Sequence, residues 1–219
     1  MERFTIQKND FLSHDCTGYF HLYYVGYGRP GNPDYLNTLK NIFVSTPLDT
    51  LRAASRQAAA LMIQDIPKVI DAEGLSEVVL MAVPRSKSGM CNWQLGFKAA
   101  VRTAVKALQD NNLSVVDGKD FIFRHTSTKM THLRKPVSNF ENTGSEPYPG
   151  ITKDTCDIQN KYLKGRTVIL IDDIYTKTVN VDEDCIQALY DAGAARVIFY
   201  AVAYTNRNAY KSCLLYTSP

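Results

Sequence analysis

The hydrophobic residues of this chain follow two patterns, which together predict an alternation of strands and helices. Unbroken apolar runs, typical of strands buried on both faces of a sheet, occur at residues 77–83, 167–171 and 196–204. Apolar residues at helical spacing occur at residues 33–43, 47–67, 93–109 and 181–192. The sequence therefore predicts an α/β fold, with a twisted, mostly parallel sheet of about five strands flanked by helices.

Residues that start or stop helices mark the ends of several of these elements. Thr46 and Pro47 suit an N-cap and a first helical residue, and Pro67 is expected to end or kink the helix that follows them. Asn180 is a suitable N-cap for the last helix. Gly193 stands where that helix would end in a left-handed residue.

The length of 219 residues suits a single domain with a sizeable core. We expect residues 1–46 to form a small N-terminal hood and residues 47–205 to form the core. The aromatic-rich segment 11–28 predicts short strands and turns, whose rings either stack on a flat base or pack in the core. Residues 206–219 show no clear pattern and are expected to be a frayed tail or one foreign to the native protein.

The composition indicates where the protein is located more clearly than which reaction it catalyses. The five cysteines form no CxxC pair, so neither a disulfide framework nor a zinc site is expected, and a reducing cytoplasm is the simplest location. No apolar run approaches the roughly 18 residues that a membrane span requires, so no membrane association is predicted. A net charge of +3 is too small to indicate a nucleic-acid partner.

An acidic pair follows the apolar run at residues 167–171 and is the first candidate for chemistry. Asp172 and Asp173 stand at the expected carboxyl end of this strand, where ligands bind in open α/β sheets. A polar loop then leads into the last helix and contains Thr176, Lys177, Thr178 and Asn180. The alternative is that the two acids only make a turn and that Asn180 only caps a helix.

A basic loop follows the apolar run at residues 77–83 and is the second candidate. It begins Pro84-Arg85-Ser86-Lys87, and its two cations and its hydroxyl suit an anionic group. The alternative is a solvated basic turn.

A long segment between the two candidates, residues 124–160, follows a short strand at 120–124 and has little apolar periodicity. A loop of this length inside a compact domain is usually functional or disordered. Its first half contains four residues that could carry positive charge, Lys129, His132, Arg134 and Lys135.

The strand, acidic pair, polar loop and helix at residues 167–192 resemble the phosphoribosyl pyrophosphate (PRPP) signature of type I phosphoribosyltransferases. Trp93-Gln94, after the basic loop, is similar to the Asn-Gln of ComF-like members of that family. The resemblance implies transfer of ribose 5-phosphate from PRPP to a nitrogen acceptor, a nucleobase or related amine, with release of pyrophosphate. It also implies Mg²⁺ as cofactor, bound mainly by substrate oxygens.

The resemblance also implies a role for each candidate residue. The ribose hydroxyls and the developing ribosyl cation would be stabilised by the catalytic carboxylates Asp172 and Asp173. The 5-phosphate would be bound by Thr176, Lys177, Thr178 and Asn180. The pyrophosphate would be bound by Arg85, Ser86 and Lys87. A mobile loop that closes over PRPP and excludes water would contribute Lys129, Arg134 and Lys135.

The chain departs from the family pattern at the polar loop. Thr178 occupies the position of the usual glycine in Thr-Gly-x-Thr, and Asn180 occupies that of the last threonine. Three acids, Asp182, Glu183 and Asp184, suit the helix dipole but would oppose a bound phosphate if they faced it.

These departures support an alternative function, a non-catalytic PRPP- or nucleotide-binding regulatory protein that uses the same pocket. A receiver or flavodoxin-like domain is disfavoured, because a receiver's acidic pair comes at the start of the domain. Similar sequences are labelled amidophosphoribosyltransferases, but the chain begins Met1-Glu2-Arg3 and no glutamine chemistry is expected. The acceptor is not specified by the sequence, and a homodimer stays open.

Overall fold

A computed structural model describes residues 1–40, 46–133 and 141–206 of the chain. Its strands are β1 (Glu2–Ile6), β2 (Cys16–Tyr24), β3 (Val78–Ala82), β4 (Val115–Asp117), β5 (Ile122–Arg124), β6 (Cys156–Ile158), β7 (Thr167–Tyr175) and β8 (Arg196–Thr205). Its α-helices are α1 (Asp34–Leu39), α2 (Leu48–Ala72), α3 (Gly96–Asp110), α4 (Ile151–Thr155), α5 (Asn160–Leu163) and α6 (Val181–Asp191).

Six of the strands form one mixed, mostly parallel sheet in the order β1-β2-β8-β7-β3-β4. Strands β2, β8, β7, β3 and β4 are parallel to their neighbours, and β1 pairs antiparallel with β2 at one edge. The prediction of an α/β fold with a mostly parallel sheet flanked by helices is confirmed. The remaining strands, β5 and β6, form a separate antiparallel pair.

The core lies on both faces of this sheet because successive side chains of a strand point to opposite faces. In β7, Ile169 and Ile171 pack into one apolar cluster with residues of α2 and α3. Val168 and Leu170 pack into a second cluster with residues of α6. Burial of each such side chain contributes roughly 1.5–3 kcal/mol, which explains why the central strands read as unbroken apolar runs.

The chain reverses its direction of travel across the sheet between β3 and β7. From β3 it passes through α3 to β4 on one side, whereas from β7 it passes through α6 to β8 on the other. A crevice forms outside the carboxyl ends of parallel strands at such a switch point, and ligands of open α/β sheets bind there.

One predicted strand boundary was wrong. The sequence placed Asp172 and Asp173 after the end of a strand, but β7 continues to Tyr175. The strand continues because Ile174 and Tyr175 are buried and pair with β8. The N-terminal segment, predicted to form a hood, supplies β1 and β2 to the main sheet.

Two further predictions need correction. Pro67, expected to end or kink its helix, does not end it, since α2 continues to Ala72 with Ile66 and Val69 fully buried on either side of the proline. The segment 124–160, predicted to be a loop, contains β6 and α4. The predicted tail after residue 206 lies outside the described residues. Within the described ranges, no helix combines the length and the apolar character needed to cross a membrane.

Candidate functional site

A polar crevice of about 100 Å³ lies at the switch point between β3 and β7. The loop after β3 contributes Arg85 and Ser86, and β7 contributes Asp172 and Asp173. Further side chains come from other parts of the chain, namely Lys40, Arg124, Lys129 and His132. The structure therefore brings the predicted acidic pair and part of the basic loop together at one site.

The two predicted catalytic carboxylates point to opposite faces of β7, as neighbouring strand residues do. Asp173 accepts a hydrogen bond from Lys40, with 2.8 Å between Oδ1 and Nζ. Asp172 is directed toward the start of α6, where its carboxyl group hydrogen-bonds with that of Asp182. The pair thus contacts the crevice with one carboxylate that is ion-paired and one that is bound to another acid.

Asp172 and Asp182 share a proton because two buried carboxylates in contact cannot both ionise at low cost. Burial, and then the charge of Asp173, raise the pKa of Asp172 to about 7. Burial, and then the charge of Asp172, raise the pKa of Asp182 well above its usual range. When Asp172 ionises, Asp182 keeps its proton and donates a hydrogen bond to the Asp172 carboxylate.

Lys40 is a charged member of the site that sequence reasoning missed. Burial opposes its charge, but Asp173 and Asp172 outweigh this effect and raise its pKa. Lys40 follows α1, more than a hundred residues from the acids in sequence. It has no motif around it, so only the folded chain reveals its position.

Arg85 is held in place by the end of α1. Its guanidinium donates to the carbonyl oxygens of Leu39 and Lys40, at 3.0 and 3.1 Å. Burial lowers the pKa of Arg85, although the charges of Asp173 and Asp172 oppose this effect. An arginine side chain has five N–H donors, so these two bonds leave others that can face an anion in the crevice.

The other two residues of the predicted pyrophosphate loop differ in their positions. Ser86 lines the crevice, and its carbonyl oxygen accepts hydrogen bonds from the backbone N–H and hydroxyl of Thr128, at 2.7 and 3.2 Å. Lys87 does not line the crevice, because its ammonium group donates to the carbonyl oxygen of Thr143.

The predicted phosphate loop lies beside the crevice, and none of its four predicted residues lines it. The hydroxyl oxygens of Thr176 and Thr205 lie 2.7 Å apart, and Lys177 and Thr178 are exposed. Asn180 has a left-handed backbone with a φ of 60°. Its side chain does not cap the helix as predicted, because its Oδ1 accepts a hydrogen bond from Asn9 Nδ2 at 3.1 Å.

The three acids at the start of α6 are buried instead of facing the phosphate loop. Asp184, about 1% exposed, accepts hydrogen bonds from the backbone N–H groups of Gly150 and Thr152 at 2.6 and 2.7 Å. Glu183 accepts one from the hydroxyl of Tyr175 at 2.7 Å. Of the three, Asp182 is the residue that contacts the candidate site, through Asp172.

The predicted mobile loop reaches the crevice with Lys129 and His132, whereas Arg134 and Lys135 lie outside the described residues. Lys129 pairs with Glu146 at 2.9 Å. Desolvation by the surrounding chain, and then the charge of Lys40, lower the pKa of His132 to about 4, although the residue keeps an exposed surface, so its imidazole is neutral at pH 7. The crevice also contains Arg124, which sequence reasoning did not assign.

The donor set of the crevice fits a cation bound mainly by substrate oxygens. Among the described residues, no group of three or more His, Cys, Asp and Glu side chains is arranged to hold a metal ion. Asp173 is paired with Lys40, which leaves the Asp172 carboxylate as the ligand that the crevice could add. Mg²⁺ commonly takes one or two protein carboxylates and completes its shell with substrate phosphates and water.

Comparison with known proteins gives no family for this chain. No protein-family model matches it, and no curated protein with a similar sequence is found.

Proposed function

We propose that the protein is a phosphoribosyltransferase that transfers ribose 5-phosphate from PRPP to a nitrogen acceptor and releases pyrophosphate. The observation that supports the proposal is the arrangement at the switch point, where two carboxylates of β7 and a group of cations line one crevice. These cations are Lys40, Arg85, Arg124 and Lys129. A sugar that carries hydroxyls and several phosphates needs both kinds of group side by side.

The two carboxylates would act on the ribose. Asp172 and Asp173 would accept hydrogen bonds from its hydroxyls, and their charge would stabilise the ribosyl cation as pyrophosphate leaves. No covalent nucleophile is required, since the acceptor nitrogen attacks C1 of the ribose directly. Because Asp182 keeps its proton, Asp172 can ionise as the pH rises through about 7.

The cations would bind and orient the phosphate groups. Arg85 is already fixed by the end of α1, so little side-chain freedom would be lost when it binds the pyrophosphate. Lys40 would add positive charge from the other side of Asp173. A bound Mg²⁺ would supply further charge neutralisation on the leaving pyrophosphate.

His132 would face the acceptor side of the reaction. Its imidazole is neutral at pH 7 because desolvation and nearby cations lower its pKa to about 4. A neutral imidazole can accept a hydrogen bond from the attacking N–H group without adding charge beside the ribosyl cation.

Release of pyrophosphate tests the proposal. Wild-type protein is incubated with PRPP, Mg²⁺ and a panel of nucleobases and related amines, and pyrophosphate is measured. We expect release with at least one acceptor, and a loss of at least about tenfold in Lys40→Met, which removes a buried charge next to the carboxylates. Lys106→Met, at an exposed ion pair on α3, is the matched control and should keep full activity. No release with any acceptor by folded protein would overturn the proposal.

A second function, a non-catalytic PRPP- or nucleotide-binding regulatory protein, is favoured by the polar loop. Asn180 uses its side chain to bind Asn9, and the predicted phosphate residues lie beside the crevice. Binding of PRPP without pyrophosphate release in the acceptor screen would identify this function in place of the transferase.

A further inference from the structure

A second cavity of about 200 Å³ adjoins the crevice and shares part of the basic loop with it. It is enclosed by residues 82–90, by the start of α3 and by the β5 strand. Its apolar wall consists of Val83, Leu95, Phe97, Ile122 and Phe123. Phe123 is 48% exposed, so part of its ring is left uncovered at this cavity.

The polar side chains around the same cavity are all basic. Arg85, Lys87, Lys98, Lys119 and Arg124 line it, and the lining contains no acid among the described residues. The guanidinium groups of Arg85 and Arg124 and the ammonium group of Lys87 already donate hydrogen bonds to backbone carbonyl oxygens. Lys98 and Lys119 are therefore the cations best placed to meet a ligand.

These two lysines are only weakly neutralised by the protein. Their ammonium groups lie 3.9 and 3.7 Å from the carboxylate of Asp120, beyond hydrogen-bond distance. The Asp120 side chain is 73% exposed, so solvent screens both contacts. Because Lys98 and Lys119 share one exposed acid, Asp120, the lining of the cavity keeps a net positive charge.

The size of the cavity limits its occupant to about one ring. A dry cavity of roughly 150 Å³ lined by apolar side chains is large enough to bind benzene. The present cavity is slightly larger and is partly open to solvent, and Lys98 and Lys119 line it together with the apolar residues. A flat ring could thus pack against Phe97 and Ile122 while a charged substituent reaches Lys98 or Lys119.

We propose that this cavity binds a monocyclic organic anion, that is, an aromatic or similar ring with a carboxylate or phosphate group. Apolar burial would bind the ring, and the two lysines would select the anion over a neutral or cationic analogue. The cavity shares Arg85 and Arg124, among others, with the crevice, whereas Lys98 and Lys119 line the cavity and not the crevice. It does not depend on the proposed transferase activity.

Binding of simple ring compounds tests this site by ligand-observed NMR titration of the wild-type chain. The probes are benzoate and phenyl phosphate, with benzyl alcohol, benzylamine and inorganic phosphate as comparisons. We expect saturable binding of at least one ring anion, with a Kd on the order of 1 mM for so few atoms. Each comparison compound should bind at least about tenfold more weakly. Whichever anion binds more tightly identifies the carboxylate or the phosphate class.

Variants locate the binding and separate it from unfolding. Lys98→Met with Lys119→Met keeps the apolar stems and should weaken the anion about tenfold or more, whereas Lys106→Met on the same helix should leave it unchanged. Asp120→Asn should tighten binding, a change that structural damage would not produce. Equal binding of benzyl alcohol and the anions, no binding of either anion, or insensitivity to the double lysine change would overturn the proposal.

Discussion

Asp172 and Asp182 form an unfavourable arrangement of charge, since two buried carboxyl groups meet at the edge of the crevice. Their contact is tolerated because one proton is shared between them. The free energy of unfolding must then depend on pH through this pair. Such a pair costs stability and is expected where a function requires it.

We predict that Asp172→Asn removes part of this pH dependence. The folded pKa of Asp172 is raised from 3.8 to about 7, so the folded protein binds more protons than the unfolded chain between these values. Stability is therefore present at low pH and is lost as the pH rises through this window. Asparagine stays neutral and can donate to Asp182, so the variant should be about 2 kcal/mol more stable than wild type at pH 8 and nearly equal at pH 4.

Urea unfolding at a series of pH values measures this difference. Asp110→Asn, at an exposed ion pair, should shift the curve little at any pH. Parallel pH profiles for wild type and Asp172→Asn would contradict the assignment of a shared proton to this pair.

Individual site residues could be predicted only where a local pattern marks them. Asp172, Asp173 and Arg85 follow apolar runs, which place them near the ends of buried strands. Lys40 and His132 reach the same crevice from segments without such a pattern, because their positions depend on packing between distant parts of the chain. The sequence shows that Lys40 and His132 can carry charge, but it does not show which side chains they contact.

At the scale of elements, the contact between α1 and the basic loop connects the crevice to the rest of the fold. α1 is a six-residue helix whose C-cap N–H, that of Lys40, donates to the carbonyl oxygens of Leu36 and Asn37, so the carbonyls of Leu39 and Lys40 lie beyond these bonds. Arg85 donates to two carbonyl oxygens at this end, those of Leu39 and Lys40. One side chain thereby satisfies the helix terminus and fixes the backbone that carries Lys40.

We predict that Arg85→Met destabilises the protein by about 2–3 kcal/mol, because it removes two hydrogen bonds from a charged donor to partly buried carbonyl oxygens. Arg85→Lys should recover only part of the loss, since one ammonium group does not reproduce the planar fork of guanidinium. Chemical denaturation at neutral pH measures both changes. Arg52→Met, at an exposed ion pair on α2, is the control and should cost less than about 0.5 kcal/mol. An equal cost at positions 52 and 85 would refute this role of Arg85.

Elements with strong apolar periodicity could be predicted, whereas those defined by their neighbours could not. α3 and the buried part of β7 follow directly from the sequence. β1 was missed because it is a mostly exposed edge strand whose position is set by pairing with β2. The last residues of β7 were assigned to a turn, since two adjacent acids usually mark one, but pairing with β8 extends the strand.

At the scale of the whole molecule, strand order decides which residues meet. The sequence predicted parallel strands joined by helices, and right-handed crossovers restrict how these can be arranged. It did not predict that β2 pairs with β8, because this contact joins the two ends of the described chain and has no local signal. The site at the switch point follows from β3 and β7 being neighbours, with β4 and β8 on either side of them.

The central claim is that the crevice at this switch point binds PRPP through the carboxylates of β7. Calorimetric titration of PRPP in the presence of Mg²⁺ tests it most directly, using wild type, the Asp172→Asn, Asp173→Asn double variant and the exposed control Asp191→Asn. Thermal unfolding of each protein confirms that it is folded under the same conditions.

We expect wild type and Asp191→Asn to bind with the same affinity, and the double variant to bind at least about tenfold more weakly, because it loses both acceptors for the ribose hydroxyls. Failure of folded wild-type protein to bind PRPP with Mg²⁺, or undiminished binding by the double variant, would contradict the claim.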